Sequence, residues 1–175
     1  MTIDRISLTH IRIPLLEPFR ISNGSIDEKD GIIVGVHADG LVGYGEASPM
    51  SGSFYSSDTP ESTWSDLHTA IVPRILRGQP GGVKEVNDLL LKTGGNPFAR
   101  AGVETAFWDL EGQRAGIPLY RLLGGESDEV VCGLAVGIYP SIPEMLYAVE
   151  SHLSVGYARL KIKISPNGIS SLSAP

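Results

Sequence analysis

The chain has 175 residues and a mass of 18.7 kDa, with 14 Lys and Arg against 20 Asp and Glu, and its formal net charge is −6. This acidic balance, without a compensating Lys/Arg cluster, argues against a nucleic-acid binder, and no apolar run is long enough to predict a membrane-spanning helix. The composition is typical of a folded globular protein. Since the N-terminus lacks the apolar stretch of a signal peptide, we expect a cytoplasmic location.

The first segment is predicted to be a β-strand. Residues 3–13 alternate largely between apolar and polar side chains, which is the pattern of a half-buried strand. Pro14 and Pro18 interrupt this pattern, and we expect the strand to end there. The polar residues 22–30 that follow are predicted to form an exposed loop.

A hairpin is predicted next. Residues 31–38 favour a strand, Asp39 and Gly40 are a strong two-residue turn signal, and residues 41–47 supply the return strand. Together with the first strand they predict an antiparallel meander. Residues 48–60 then form a second polar loop.

Helical patterns begin after Pro60. The first helix is predicted to end at Gly78, and residues 83–92 form the second. A third helix starts at Asn96, with Pro97 in its first turn, and ends at Gly116. It is apolar around most of its circumference, so we expect it to be deeply buried.

The last part of the chain changes character. Residues 130–136 are a nearly unbroken apolar run, as in a strand with both faces covered, and residues 142–155 form an amphipathic helix. Residues 158–164 are a second strand. This order predicts one βαβ unit and hence a parallel sheet. Cys132, the only cysteine, lies in the first of these strands, where we expect a small buried side chain.

Two lysines are the strongest chemical signal. Side chains alternate along a strand, so Lys161 and Lys163 share one face and the apolar neighbours take the other. In a parallel barrel the lysines would point inward, where two close ammonium groups and partial burial lower a lysine pKa and produce a usable base. The alternative is an amphipathic edge strand with a solvated basic face, and spacing alone leaves both open.

Other chemical groups carry weaker signals. The lone cysteine excludes an internal disulfide and a Cys-based zinc site. Glu104 and Asp109 lie within the third helix and could be catalytic carboxylates, although structural hydrogen bonds explain them better. The histidines are scattered, and no pair has helical metal-ligand spacing; they are His10, His37, His68 and His152. His10 and His37 lie on predicted strands and are interpreted as packing or surface residues.

Several segments in order resemble the N-terminal part of an enolase-superfamily enzyme of the mandelate racemase/muconate lactonizing type. The most specific is residues 99–125 (ARAGVETAFWDLEGQRAGIPLYRLLGG). The others are residues 18–24 (PFRISNG), 43–49 (GYGEASP), 53–62 (SFYSSDTPES), 131–138 (VCGLAVGI) and 159–163 (RLKIK). Residues 18–24 and 53–62 resemble the family's first and second specificity loops.

The resemblance implies an α+β fold followed by part of an α/β barrel. Residues 1–125 would be the capping domain, an antiparallel meander with a helical bundle, and residues 126–175 would be the first βαβ of a TIM-like barrel. A complete barrel needs about 200–250 residues. After residue 166 the sequence lacks helical periodicity, so we expect a truncation or a shifted reading frame.

The resemblance also implies a reaction. Such enzymes abstract a proton α to a carboxylate, with Lys163 as the acid/base and Lys161 beside the substrate carboxylate. The two loops would supply substrate-binding residues, namely Phe19, Ser22, Phe54 and Tyr55. A Mg²⁺ ion stabilises the enediolate and takes its ligands from the third, fourth and fifth barrel strands. This chain is therefore expected to contribute no metal ligand and to bind no Mg²⁺ alone.

The substrate class and the role of the chain leave alternatives open. The loop residues look most like the o-succinylbenzoate synthase / N-acylamino acid racemase group, while dipeptide epimerases and muconate cycloisomerases share the two lysines. We expect a small-molecule carboxylate substrate, no nucleic acid or membrane partner, and no turnover by this chain alone. A homo-oligomer is left open. A non-catalytic binding or interaction module, or a degraded gene product, is the alternative from another class.

Overall fold

The computed structural model describes residues 1–21, 24–52 and 55–163. The chain forms two compact units. The first comprises Met1–Pro14 and Glu28–Glu126, and the second comprises Leu15–Asp27 and the chain from Ser127 onward.

The predicted meander is confirmed. Strands β1 (Ile3–Ile21), β2 (Gly24–Ala38) and β3 (Leu41–Ala47) form a sheet in the order β1-β2-β3. Strands β2 and β3 pair antiparallel from Ala38 opposite Leu41 to Ile32 opposite Ala47. Asp39 and Gly40 both have positive φ, as a two-residue turn of the type I′ family requires, so the predicted hairpin turn is also correct.

The predicted loop over residues 22–30 is wrong from Gly24 onward, because β2 begins there. Pro14 and Pro18 lie inside β1, which is longer than expected. Since β1 is at the edge of the sheet order, the open side of the strand needs no N–H donor, and a proline without one is tolerated.

The helices follow the predicted order. The segment after Pro60 is continuous to Gly78 and contains one π-helical stretch, Leu67–Ile71. Thr59 caps its start, because the Thr59 side chain accepts a hydrogen bond from the Ser62 amide at 3.2 Å. The α-helices are α1 (Pro60–Asp66), α2 (Val72–Gly78), α3 (Val83–Thr93), α4 (Pro97–Ala115) and the single turn α5 (Leu119–Leu122).

Helix α4 packs against β3 and closes the core of the first unit. Its predicted cap is correct, since Asn96 accepts a hydrogen bond from the Ala99 amide at 2.9 Å. The expected deep burial holds for one face of the helix, which includes Val103 and Phe107, whereas Ala101 and Thr105 on another face are exposed. The residues that share the core are Ile32, Val34 and Val36 of β2, Leu67, Ile71 and Ile75 of the following helices, and Val103, Phe107 and Leu110 of α4.

The second unit contains the predicted βαβ. Strand β4 (Leu134–Val136) pairs in parallel with β5 (Leu160–Ile162), and α6 (Ile142–Ser154) connects them. The strands are shorter than predicted. Val130 and Val131 are 82% and 83% exposed, and Cys132 is exposed rather than buried. An apolar run becomes a buried strand only where neighbours pair with it and cover it, and β5 pairs with three residues of β4.

Candidate functional site

The two lysines lie at the end of β5. Lys161 stands opposite Ala135 of β4 in the parallel register. Lys163 directly follows the strand, and its amide N–H donates to the carbonyl of Val136 at 3.2 Å, which continues the ladder by one bond. Because this extended pairing keeps the alternation of side chains, the two lysines project from the same face.

The environment of Lys163 changes its acidity. Burial lowers the pKa of the Lys163 ammonium, and the positive charge of Lys161 lowers that pKa further. Both effects disfavour the charged ammonium form of Lys163. A lysine with a lowered pKa has a larger fraction of neutral amine near neutral pH, which is the form that accepts a proton.

Phe19 contacts Lys163 within the second unit. The Lys163 Nζ lies 3.7 Å from the centre of the Phe19 ring. Phe19 lies in the part of β1 that belongs to the second unit, and it is 39% exposed. The sequence pattern singles out both residues but does not predict their contact, because no local pattern places a residue of the first strand next to one so far along the chain.

The other predicted loop residues are distributed differently. Tyr55 belongs to the first unit, where its side chain is 61% exposed. Ser22 and Phe54 lie outside the described residues. The structure thus brings together Phe19 and Lys163 of the predicted set, with Lys161 on the same strand.

The helical carboxylates have structural partners. Asp109 accepts hydrogen bonds from the Tyr44 amide at 2.7 Å and from the Gln113 side chain at 2.9 Å. Glu104 accepts from the Asn87 side chain at 3.1 Å. The structural interpretation of both carboxylates is consistent with these bonds.

His10, His37 and His68 have partners in the structure, and those of His10 and His37 agree with the predicted packing or surface roles. His10 contacts the buried carboxylate of Asp30, and His37 lies 3.2 Å from the Ser7 hydroxyl. His68 stacks on the ring of Trp64. These contacts occupy the histidines with packing and hydrogen bonding.

The described residues do not fit a Mg²⁺ site. Within residues 1–21, 24–52 and 55–163, no group of three or more His, Cys, Asp or Glu side chains could hold a metal ion. A Mg²⁺ ion prefers several oxygen ligands, carboxylates among them.

One groove on α6 was not foreseen. It has a volume of about 510 Å³ and is lined by Glu17, Tyr139, Tyr147 and His152, among others. The sequence predicted an amphipathic helix over residues 142–155, and its apolar pattern did not single out the aromatic residues that line this groove. In the part of the chain that the structure describes, no helix is long and apolar enough to cross a membrane.

The chain is similar to enzymes of one superfamily. It is 33% identical to an o-succinylbenzoate synthase of Geobacillus stearothermophilus over 95% of this chain and 45% of that protein. It is 32% identical to an N-succinylamino acid racemase of Thermus thermophilus over 95% of this chain and 45% of that protein. The chain thus spans about 45% of the length of these curated relatives.

Solved structures agree with this similarity. A member of the enolase superfamily from Listeria innocua superposes with a TM-score of 0.88 at 28% identity, over 96% of this chain and 46% of that chain. A dipeptide epimerase from Enterococcus faecalis, complexed with Mg and the dipeptide L-Leu-L-Tyr, superposes with a TM-score of 0.86 at 31% identity, over 94% of this chain and 46% of that chain.

The family model for the mandelate racemase / muconate lactonizing enzyme N-terminal domain matches residues 5–124. This match covers most of the chain and includes the sheet and helices α1 to α5. The predicted fold, a capping domain followed by the start of a parallel barrel, is confirmed by the superpositions. The chain therefore belongs to the mandelate racemase / muconate lactonizing enzyme family of the enolase superfamily.

Proposed function

We propose that this chain supplies the capping domain and the lysine base of an enzyme that removes the proton α to a carboxylate. The capping domain would be residues 1–125, and residues 126–175 would begin the barrel. The observation that carries the proposal is Lys163, whose pKa is lowered by burial and by Lys161 at the end of a parallel strand. Charged residues at this end of a barrel strand are in the position where such barrels carry out chemistry.

The proton step follows from the two lysines. The neutral amine of Lys163 takes the proton from the α-carbon, and the electron pair of the C–H bond passes into the carboxylate. The ammonium of Lys161, on the same face, offsets the negative charge that develops there. Delivery of a proton to the opposite face of the α-carbon, by an acid outside the described residues, would give the inverted acid, whereas departure of a leaving group from the adjacent carbon would give an alkene.

Mg²⁺ is the cofactor proposed for the complete enzyme, where it would supply positive charge beside the substrate carboxylate. Its ligands would come from outside the described residues, since those residues do not form a metal site. The Mg in the Enterococcus faecalis epimerase complex supports this assignment for the superfamily.

The proposed substrate is a small carboxylic acid of the kind handled by the o-succinylbenzoate synthase / N-acylamino acid racemase group, and the cytoplasm is the proposed location. The names of the two relatives favour this group. Phe19, Ser22, Phe54 and Tyr55 are the proposed substrate-binding residues of this chain. A dipeptide is the second candidate, because of the structural similarity to the dipeptide epimerase.

The test is exchange of the α-proton in D₂O. N-succinyl amino acids with Mg²⁺ are followed by ¹H NMR, for the 175-residue chain and for the chain joined to the remaining barrel of the Geobacillus stearothermophilus relative. We expect exchange by the joined protein, no exchange by the chain alone, and a loss of about 10²-fold or more in Lys163→Ala.

The exposed Lys84 of α3 offers a matched control, so Lys84→Ala should leave exchange unchanged. Circular dichroism checks that both variants fold. Exchange that survives in Lys163→Ala contradicts the proposed base. A Lys163→Ala effect confined to solubility or partner affinity would instead favour the interaction module, and exchange by the 175-residue chain alone would contradict the expected lack of turnover.

A further inference from the structure

The contact between Phe19 and Lys163 places an aromatic face on an ammonium group. The Nζ lies 3.7 Å from the ring centre, well inside the distance of about 6 Å within which a cation is attracted to a ring face. Both residues belong to the second unit, so the contact is internal to one compact body. It joins strand β1 to the end of β5.

The ring acts selectively on one protonation state. The face of an aromatic ring carries negative electrostatic potential, which attracts the ammonium form and gains little from the neutral amine. Phe19 therefore opposes Lys161, whose positive charge disfavours the ammonium. Among the described residues, Lys161 is the charged group that shifts the pKa of Lys163.

The ring also limits where a substrate can approach. An amine that removes a proton from carbon must come within about 3–3.5 Å of the reacting atom. With the ring at 3.7 Å, one side of Nζ is already occupied. The remaining sides of Nζ are the ones available to a substrate while the ring stays in place.

We propose that Phe19 is a positioning residue for Lys163: its ring face holds the Nζ at the end of β5 and favours the ammonium form, and displacement of the ring releases the amine. The link to catalysis rests on the function proposed above. The effect of the Phe19 ring on the protonation of Lys163 does not depend on that function, since it concerns the chain without substrate.

The test is a titration of the lysines in the 175-residue chain. The chain has five lysines, so [¹³Cε]-lysine labelling gives a small set of signals, and Lys→Arg variants assign them. Phe19→Leu keeps an apolar side chain but removes the ring face. We expect the ratio of ammonium to amine at Lys163 to fall about threefold at a fixed pH, because Phe19→Leu removes one exposed cation–π contact.

Two further variants separate the ring from general packing. Phe19→Tyr retains a ring face and should restore the wild-type titration. Leu16→Ala removes a fully exposed side chain from the same strand and should leave the Lys163 titration unchanged. The ¹H–¹⁵N spectrum of each variant reports whether the second unit keeps its fold.

An unchanged Lys163 titration in Phe19→Leu would overturn the proposal. A higher ammonium fraction would also overturn it, because the ring would then act only by excluding water. Since the titration needs no turnover, its result tests the role of Phe19 independently of the proposal that Lys163 is the catalytic base. Retained exchange in Lys163→Ala would reject the catalytic role of the lysine while leaving the Phe19 result to stand or fall alone.

Discussion

At the scale of single residues, the acidity of Lys163 results from opposing influences. Burial and Lys161 lower its pKa. The proposed contribution of the Phe19 ring acts in the other direction. The neutral amine is the base, so any change that lowers the pKa increases the reactive fraction at a given pH. Each influence belongs to a different side chain and can be removed separately.

Replacing Lys161 tests the charge effect. We expect Lys161→Gln to raise the pKa of Lys163, because a positive neighbour that disfavours the ammonium is gone. The neutral fraction at a fixed pH then falls, and the rise of α-proton exchange with pH in the joined protein moves to higher pH. Lysine ¹³Cε titration and the pH–rate profile measure the two consequences. Lys161→Arg keeps the charge and is the control; a Lys163 pKa that stays the same or falls in Lys161→Gln contradicts the argument.

At the scale of secondary structure, the packing of α4 on β3 depends on two glycines. Gly43 and Gly45 are two residues apart on β3 and so face the helix together. A Cβ on Gly45 would lie 2.1 Å from the carbonyl oxygen of Gly102, and one on Gly43 would lie 2.2 Å from that of Ala106. The strand approaches the helix backbone at a distance that a larger residue does not permit.

Gly45→Ala is therefore expected to destabilise the first unit. The added methyl group meets backbone, which cannot move aside as a flexible side chain can, and we expect a loss of about 1–3 kcal/mol in the free energy of unfolding. Urea denaturation followed by circular dichroism measures it as a lower midpoint with an unchanged slope. Gly81→Ala is the control, because its Cβ meets nothing closer than 3.6 Å. Equal midpoints for the two variants would contradict this explanation of the packing.

Some features of the secondary structure were predictable from the local sequence, and others were not. Local signals were sufficient for the Asp39-Gly40 turn and the Asn96 cap, because neighbouring residues determine both. The prolines of β1 were wrongly interpreted as ends of the strand. An edge strand tolerates proline, but the local sequence does not show which strands pair and therefore which strand lies at the edge. The run from Val130 was predicted to be a buried strand because hydrophobicity indicates a capacity for burial, and burial itself requires neighbours that cover the segment.

The candidate site was predictable to a similar extent. The spacing of Lys161 and Lys163 indicates a shared face, and the lowered pKa of Lys163 has the two causes that the spacing suggested. The contact with Phe19 was not predictable from spacing, because it joins distant parts of the chain. The roles of these residues in catalysis stay predictions.

At the scale of the whole molecule, the two units differ in how well their apolar side chains are covered. The first unit contains a contiguous buried core. In the described part of the second unit, Val136 is the buried apolar residue. Leu146 and Leu153 on α6 are each 51% exposed, and Ile162 on β5 is 46% exposed. Neighbouring exposed apolar side chains on a small sheet and its helix form a surface that favours association.

The 175-residue chain is therefore expected to self-associate with increasing concentration. Sedimentation equilibrium should give an average mass above 18.7 kDa that rises with concentration. Leu146→Gln combined with Leu153→Gln should reduce this rise, because each removes an exposed apolar side chain from the second unit. Leu91→Gln, at an exposed leucine of α3 in the first unit, is the matched control and should have little effect. A constant monomer mass at all concentrations, or an equal effect of the control, would show that these side chains do not drive association.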